Sequence, residues 1–430
     1  MSTHPPVFDR SHTDDLAAYV QAAPTPYHAA AVGAERLARA GFRPAAETDA
    51  WEGGPGGWYV LRGGALIAWY VPEGATPTTP FRVAGAHTDS PNLRVKPQPD
   101  MDAHGWRQIA VEVYGGPLLN SWLDRDLGLA GRLALRGGGT RLVDSGRPLL
   151  RVPQLAIHLD RKANDGLTLD RQHHLQPVWG LGGSQEGDLV AFMAEQAGLD
   201  PEDVLGWDLM AYEAQAPTYL GRDRELLAAP RLDNLLSVHA GLGALLAAAG
   251  AGESAAIPVL AAFDHEETGS QSDTGAQGPL LGRVLERSVL ARGGSAEDLM
   301  RALAGTVCAS SDVGHAVHPN YAERHDPTHH PRANGGPILK TNVNQRYATD
   351  GVGRAVFAEA CERAGVPLQH FVSNNAVPCG TTIGPITAAR HGITTVDVGV
   401  PILSMHSARE MCGVDDPHLL AAALAAFLAG

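Results

Sequence analysis

Five short segments, far apart in the sequence, each place a side chain that can bind a metal at or just after an apolar run. They are AGAHTDSP (84–91), APRLDNLLS (229–237), LAAFDHEETGS (260–270), CASSDVGHAVHP (308–319) and LSMHSARE (403–410). In open α/β sheets the functional groups gather beyond the carboxyl ends of the strands, and we expect all five segments to meet there. Imidazole mixed with carboxylate oxygen suits zinc, cobalt or manganese and disfavours copper.

The first segment contains His87 and, two residues later, Asp89. A lone histidine beside a strand end is weak evidence, because such residues more often make structural hydrogen bonds. The spacing allows the Asp89 carboxylate to accept the second ring N–H of His87, which fixes the imidazole tautomer in many zinc sites. The alternative is a turn carboxylate that caps the loop of Asn92.

Two adjacent carboxylates, Glu266 and Glu267, follow the apolar run IPVLAAF. Their charges repel each other, and a pair at a helix N-terminus is the simpler interpretation. The functional interpretation is that one carboxylate binds a cation while its neighbour stays free as a general base. HEETG lacks the second histidine of the HExxH helix, which excludes the single-zinc protease pattern.

Asp233, Asp312 and His406 complete a set of two histidines and three carboxylates. Asp233 precedes an Ala- and Leu-rich helix, where an ordinary N-cap is the alternative to a bridging carboxylate. Five ligands and one water make two metal sites that share a bridge. The sequence therefore favours a two-metal centre.

The elements that must position these residues indicate an α/β fold. Helices are predicted at 14–23 and 28–40, followed by a hairpin that turns at Gly63–Gly64 and the strand FRVAGAH. From residue 222 onward, apolar strands alternate with helices. This alternation predicts a central mixed sheet flanked by helices on both faces.

The stretch 96–221 has a different texture, with short β-like runs such as IAVEVYG, GRLAL, TRLVD and PQLAIHL. A chain of 430 residues with 44% hydrophobic positions is longer than one core usually serves, since single cores stop growing at roughly 250–300 residues. We predict a discontinuous catalytic domain (1–95 and 222–430) and an inserted β-rich dimerisation domain (96–221). Pairing or covering exposed strand edges makes such an insertion a natural dimerisation element.

Composition and charge limit the binding partners and the cellular compartment that we expect. A formal net charge of −14 opposes binding to nucleic acid or an anionic membrane. The four cysteines are scattered without CxxC spacing, which fits a reducing cytoplasm. Asp9, Arg10 and Asp14 lie where a signal peptide needs an apolar stretch, and the apolar run 419–430 is far shorter than the roughly 20 residues of a membrane span. We expect a soluble, cytoplasmic protein.

Three further segments extend the pattern: PTPYHA (24–29), KTNVNQRYAT (340–349) and PCGTTIGPI (378–386). Together with the first five, they resemble the aspartyl aminopeptidase family of co-catalytic two-zinc metallo-aminopeptidases. The resemblance runs through most of the chain, and within the insertion it rests on WLDRDL (122–127) and LAIHLDR (155–161). His265 precedes the glutamate pair where we expect a smaller amide, which leaves substrate preference open.

The resemblance implies two Zn²⁺ per subunit, for which Co²⁺ or Mn²⁺ can substitute, in a zinc-aminopeptidase-like fold. Asp233 would bridge the two ions. His87 and Asp312 would complete one site, and Glu267 and His406 the other. Related co-catalytic sites also suggest a cis peptide bond after Asp233, which would aim its two carboxylate oxygens at separate metals.

The same resemblance assigns roles in catalysis and substrate binding. Glu266 would be the general base for a water shared by the metals, and His158 would help to stabilise the tetrahedral intermediate. Lys340 and Tyr347 would bind the acidic side chain of the substrate, a short peptide with N-terminal Asp in preference to Glu. The alternatives are a solvated surface lysine for Lys340 and a buried strand histidine for His158.

Two rival functions use the same residues. A two-metal deacylase of N-acyl amino acids could share the ligands, although the KTNVNQRY segment argues against it. A non-catalytic oligomeric scaffold of the same fold is opposed by the intact Glu266. The resemblance further implies homo-oligomers, in which dimers place each insertion over the partner's cleft and six dimers form a tetrahedral dodecamer.

Overall fold

The computed structural model describes residues 10–251 and 254–430. The first nine residues, which carry part of the expectation that no export signal is present, lie outside the described residues. The helices of the described ranges are α1 (Ser11–Ala22), α2 (Pro26–Arg39), α3 (Asp188–Gln196), α4 (Leu232–Ala251), α5 (Leu280–Ala291), α6 (Ala296–Ala304), α7 (Gly351–Ala364), α8 (Ile383–His391) and α9 (Asp416–Ala429).

The strands form three sheets. They are β1 (Arg43–Pro44), β2 (Gly56–Arg62), β3 (Ala65–Val71), β4 (Phe81–His87), β5 (Asn92–Ala103), β6 (Trp106–Tyr114), β7 (Leu127–Leu135), β8 (Thr140–Asp144), β9 (Val178–Leu181), β10 (Val204–Glu213), β11 (Thr218–Leu220), β12 (Leu226–Ala229), β13 (Ile257–Phe263), β14 (Val307–Ser311), β15 (Gly314–His315), β16 (Ile338–Thr341), β17 (Gln369–Val372), β18 (Thr394–Gly399), β19 (Pro401–Leu403) and β20 (Glu410–Gly413).

The largest sheet has nine strands in the order β1-β2-β3-β13-β4-β14-β18-β16-β17. Its four central strands, β13, β4, β14 and β18, run parallel to one another. The flanking strands β3 and β16 run antiparallel to their central neighbours. The prediction of a central mixed sheet is therefore confirmed.

Both faces of this sheet are covered by helices, and β13 shows why. All seven of its residues are buried, as expected for a continuous apolar run in a parallel strand. Successive side chains point to opposite faces, so Leu260 packs into the core that contains α4 and α9, while Val259 packs into the core that contains α5. A strand that is apolar on both faces needs a helical layer on each.

A second sheet has six antiparallel strands in the order β8-β7-β10-β5-β6-β9. It uses only strands between Asn92 and Glu213, and its apolar core contains Leu129, Leu209 and Met193 of α3. The sequence indicated β-structure here but did not predict α3. The boundaries of a separate domain and its role in dimerisation stay predictions.

The run PQLAIHL, which the sequence predicts as β-like, does not form a strand. Residues 153–156 have no regular structure and residues 157–159 form a turn. Leu155, Ile157 and Leu159 are 57%, 46% and 75% exposed. No strand of the described residues pairs with this run, and no core covers its apolar side chains, so alternating apolar residues alone were insufficient to make a strand.

The third sheet, which the sequence does not predict, has five short strands in the order β11-β12-β20-β19-β15. It pairs β12 with β20, so that Ala229 lies opposite Glu410. This pairing brings the start of α4 next to the turn between β19 and β20. Among the described helices, α4 alone is long and apolar enough to span a membrane, and 67% of that stretch is buried inside the fold.

Candidate metal centre

The five proposed ligands meet in one cluster. Nε2 of His87 lies 3.3 Å from Oδ1 of Asp233 and 3.6 Å from Oδ1 of Asp312. Nε2 of His406 lies 3.3 Å from Oδ2 of Asp233 and 3.4 Å from Oε2 of Glu267. The two oxygens of Asp233 therefore face different histidines, and this carboxylate lies between two groups of potential ligands.

These groups fit divalent cations. Ligand atoms of His87, Asp233 and Asp312 lie within 4.8 Å of one another, as do those of Asp233, Glu267 and His406. Oδ1 of Asp233 is buried and has no hydrogen-bond donor among the described residues. A buried oxygen without a partner is unfavourable, and a bound cation would remove that penalty. Imidazole nitrogen and carboxylate oxygen are both zinc ligands, so the donor set fits zinc.

Three of the five segments leave the carboxyl edge of the nine-stranded sheet, as expected. His87 ends β4, Glu266 follows β13 and Asp312 follows β14, and these strands are parallel neighbours. Asp233 follows β12 and His406 lies between β19 and β20, and both also reach the cluster. The strands that precede them, β12 and β19, belong to the five-stranded sheet, which approaches the edge of the larger one.

The peptide bond between Asp233 and Asn234 is cis, which confirms the expectation from related sites. Asp233 has φ −81° and ψ 99° and interrupts the start of α4. No backbone N–H in residues 10–251 and 254–430 donates a hydrogen bond to its carboxylate. The alternative of an ordinary helix N-cap is therefore not supported by the contacts of this side chain.

Asp89 makes contacts that differ from those expected. Nδ1 of His87 lies 3.1 Å from the main-chain oxygen of Asp89 and 3.5 Å from its carboxylate, so the carbonyl is the nearer acceptor. The carboxylate instead accepts N–H bonds from Glu266 and Glu267 at 3.0 and 3.1 Å. It also accepts the hydroxyl of Tyr114 at 2.7 Å. Asp89 thus holds the backbone of the glutamate pair beside His87.

The pKa values of the two glutamates are raised. Burial raises the pKa of Glu266 to about 7, and the carboxylates of Asp312 and Asp89 add to this rise against the opposing effect of a nearby histidine. Burial also raises the pKa of Glu267 well above its usual value, and Asp233 acts in the same direction. A pKa near neutrality is suited to general acid-base catalysis at neutral pH.

The two histidines respond to the same carboxylates. Burial alone would lower the pKa of His87, yet the nearby carboxylates of Asp233 and Asp312 raise it well above its usual value. For His406, burial is again opposed by Asp233 and Glu267, and the pKa rises to about 10. Because a metal ligand must be neutral imidazole, a cation would displace protons from both rings.

Lys340 and Tyr347 lie beside this cluster. Lys340 is only 1% exposed, donates a hydrogen bond from Nζ to the carbonyl oxygen of Val313 at 3.1 Å, and lies 3.6 Å from Oδ2 of Asp312. Its Nζ is 5.1 Å from the centre of the Tyr347 ring. The alternative of a solvated surface lysine is wrong.

His158 lies on the exposed turn of residues 157–159, so the alternative of a buried strand histidine is wrong. In the described part of the chain, no ion pair joins His158 to the ligand cluster, although all five proposed ligands meet there. The fold of one subunit therefore brings the ligands together but makes no direct polar contact between them and His158.

Sequence reasoning missed the groups that hold the ligands in place. Nδ1 of His406 donates a hydrogen bond to the carbonyl of Gly116 at 3.0 Å, and Gly116 closely follows β6 of the six-stranded sheet. No sequence signal marks a main-chain acceptor of this kind. Tyr114, the partner of Asp89, ends the same strand.

Asp397 was also missed, although a single carboxylate inside the apolar strand ITTVDVGV is a usable signal. It lies opposite Lys340 in the pairing of β18 with β16 and is completely buried. Its carboxylate accepts the Thr382 hydroxyl at 2.5 Å and the Ala348 N–H at 2.6 Å. It therefore holds the backbone next to Tyr347.

A helix-covered mixed sheet with clustered histidine and carboxylate side chains is typical of metallohydrolases, a class that includes aminopeptidases. The sequence matches the family described as aminopeptidase I zinc metalloprotease (M18) over residues 19–428. It is 74% identical over 427 residues to a Streptomyces coelicolor protein named "Probable M18 family aminopeptidase 2", with 99% of each chain covered. The chain belongs to the M18 family, the aspartyl aminopeptidase family of zinc metallo-aminopeptidases.

Solved structures agree with this assignment. A chain of the Ape4 and Nbr1 complex is similar, with a TM-score of 0.94 and 34% identity, and the match covers 100% of this chain and 87% of that one. The dodecamer of S. cerevisiae mApe1 matches with a TM-score of 0.85 and 30% identity over 97% and 96% of the two chains. The protein is a metallo-aminopeptidase with the α/β fold of its family.

Proposed function

We propose that this aminopeptidase binds two Zn²⁺ ions per subunit and releases N-terminal acidic residues from short peptides, Asp in preference to Glu. The observation that carries the specificity is Lys340, a buried cation 3.6 Å from Asp312 at the edge of the ligand cluster. Its Nζ carries three hydrogens, one of which is donated to the carbonyl of Val313 at 3.1 Å. A further carboxylate can therefore be bound by a charge-assisted hydrogen bond.

The ligand arrangement supports two ions. His87 and Asp312 would hold one, Glu267 and His406 would hold the other, and the two oxygens of Asp233 would serve both. Zinc, when bound, polarises the scissile carbonyl, lowers the pKa of the attacking water and gives the substrate's free α-amine a ligand position.

Glu266 would take the proton of the attacking water and deliver it to the leaving amine. In the metal-free protein, burial raises its pKa to about 7. The N–H bond to Asp89 fixes its backbone next to the cluster. Glu266 also forms a potential ligand group with His87 and Glu267, so a ligand role is the alternative that a substitution must exclude.

Selectivity for acidic residues must come from local contacts. The net charge of −14 repels an acidic peptide at long range. Lys340 acts at close range, where burial removes screening by solvent, and the neighbouring Tyr347 completes the binding position. The attraction of Lys340 for the acidic side chain would then exceed the long-range repulsion from the net negative charge of the chain.

We further propose that the site is completed by a second subunit. His158 lies on an exposed turn between the exposed side chains of Leu155, Ile157 and Leu159, and covering this apolar segment with another copy would remove it from water. His158 would then stabilise the oxyanion in the partner's cleft. The relative mApe1 is described as a dodecamer, and we propose a dodecamer built from dimers for this chain.

One assay separates the candidate activities. Purified protein with zinc is tested on the p-nitroanilides of Asp, Glu and Leu for release of p-nitroaniline, and on N-acetyl-Asp for release of acetate. The proposal expects activity in the order Asp, Glu, Leu, with no release from N-acetyl-Asp because its amine is blocked. Preference for N-acetyl-Asp would instead indicate the deacylase, and inactivity on all four would indicate the scaffold.

Lys340→Leu tests the source of specificity. We expect the ratio of kcat/KM for Asp over Leu substrates to fall by roughly 10- to 100-fold, the value of one lost hydrogen bond to a charged group. Lys96→Leu, in the six-stranded sheet, is the matched control and should leave the ratio unchanged. Zinc content is measured for both variants, and an unchanged ratio in a zinc-loaded Lys340→Leu protein would place selectivity elsewhere.

A further inference from the structure

Glu410 connects two of the proposed zinc ligands without being one of them. It begins β20, four residues after His406, and is 2% exposed. Its Oε2 accepts the backbone N–H of Asp233 at 2.8 Å, and its Oε1 accepts the backbone N–H of His406, also at 2.8 Å. Each oxygen of one buried carboxylate therefore holds the main chain of a different ligand.

These two ligands need such a connection more than the others do. His87 ends β4, and Glu267 and Asp312 follow the parallel strands on either side of it, so strand register sets much of their spacing. Asp233 follows β12, whereas His406 lies in a turn with a left-handed φ of 66°. Their functional atoms nevertheless lie 3.3 Å apart.

We propose that Glu410 is a positioning residue that sets the spacing between Asp233 and His406 and thereby the zinc affinity of the site they share. The inference rests on the two-zinc centre proposed above. Glu410 forms no ion pair with any described Lys, Arg or His within 4.0 Å, and both of its oxygens are engaged by N–H donors. Its hydrogen bonds are therefore directed at the ligand backbone.

Glu410→Gln is the decisive variant because it keeps the size and shape of the side chain. A glutamine has one acceptor oxygen, and its NH₂ group would face the second N–H donor. One of the two hydrogen bonds is lost, and either Asp233 or His406 is released. Groups that orient metal ligands typically contribute roughly 10- to 100-fold to metal affinity, and we expect a loss of this size for the weaker of the two zinc ions.

Glu213→Gln is the matched control. Glu213 is 4% exposed, and its carboxylate accepts hydrogen bonds from Arg409 at 3.2 Å and from the Gln215 N–H at 3.0 Å. It contacts none of the proposed ligands through these bonds. This variant therefore also removes a buried carboxylate, but it leaves the hydrogen bonds of the Asp233 and His406 backbone intact.

The experiment titrates metal-free protein with zinc against a competing chelator and records the melting temperature of the metal-free forms. Wild type and Glu213→Gln should bind two zinc ions with similar affinity, while Glu410→Gln should bind one of them 10- to 100-fold more weakly. Glu410→Asp, which is too short to hold both N–H groups, should show the same loss and provides a second variant if the glutamine form does not fold.

Two outcomes would overturn the inference. A lower melting temperature with unchanged zinc affinity would make Glu410 purely structural. Equal losses in Glu410→Gln and Glu213→Gln would show that any buried carboxylate here has the same effect. If wild-type protein binds fewer than two zinc ions, the proposed function fails first, and this result is distinct from a failure confined to the Glu410 variants.

Discussion

The centre is built by two regions of the molecule that hold their ligands differently. The nine-stranded sheet supplies His87, Glu267 and Asp312 from adjacent parallel strands, and main-chain register sets much of their spacing, with the Asp89 carboxylate holding the backbone of Glu267. The region of the five-stranded sheet supplies Asp233 and His406, which donate hydrogen bonds to the Glu410 carboxylate and, from the His406 ring, to the Gly116 carbonyl. Strand pairing positions residues at a sheet edge with few additional contacts, whereas ligands outside that edge need hydrogen bonds to other groups.

We expect the largest effect from substitution of Asp233, because its carboxylate lies between the ligands of the two regions. Asp233→Ala should lose both zinc ions and reduce activity to background, because one carboxylate serves both ligand groups. Asp312→Ala should lose only the ion held with His87. Metal analysis of the purified variants decides the matter, and two ions retained in Asp233→Ala would refute the bridge.

We expect the next largest effect from Glu266, which follows a strand of the nine-stranded sheet and is proposed to be the general base and not a metal ligand. Glu266→Gln should keep both zinc ions and lose roughly 10²- to 10⁴-fold in kcat, since only proton transfer is removed. The measurements are kcat and zinc content on the same sample. Loss of zinc would instead make Glu266 a ligand.

A smaller effect is expected from His158, which lies in neither ligand region. His158→Ala should reduce kcat by roughly 10²- to 10³-fold, the typical value of one lost oxyanion contact. Co-assembly of His158→Ala and Glu266→Gln subunits should restore part of the activity, because some sites then combine an intact base with an intact histidine. Wild-type subunits taken through the same dissociation and reassembly are the control, and an inactive mixture would place His158 in its own subunit's site or outside catalysis.

The smallest effect that we expect is a dependence of zinc affinity on pH, which arises from His87 in one region and His406 in the other. With the pKa of His406 raised to about 10 and that of His87 well above its usual value, both rings carry a proton at pH 7. Zinc requires neutral rings, so its uptake should release protons and its affinity should rise with pH from 6 to 8. Calorimetry in two buffers of different ionisation enthalpy measures the release, and zinc uptake without it would contradict these pKa shifts.

The sequence alone determined the metal-binding residue types, the alternation of strands and helices, and the family. Runs such as IPVLAAF and IAVEVYG became strands because their apolar patterns match the burial of those strands on one or both faces. The glutamate pair was recognisable because two adjacent acids after a buried strand are unfavourable without a cation. His87, Glu266 and Asp312 were placed correctly since parallel strands end at a common edge.

Only the tertiary structure decided how the remaining groups meet. The five-stranded sheet consists of strands of two to four residues, too short to show a periodicity, yet its pairing brings Asp233 to His406. The carbonyl of Gly116 carries no sequence signature at all. PQLAIHL had a strand-like pattern and became an exposed turn, because a strand forms only where a neighbour completes its hydrogen bonds. Long-range pairing, which local sequence does not encode, therefore set the geometry of the centre.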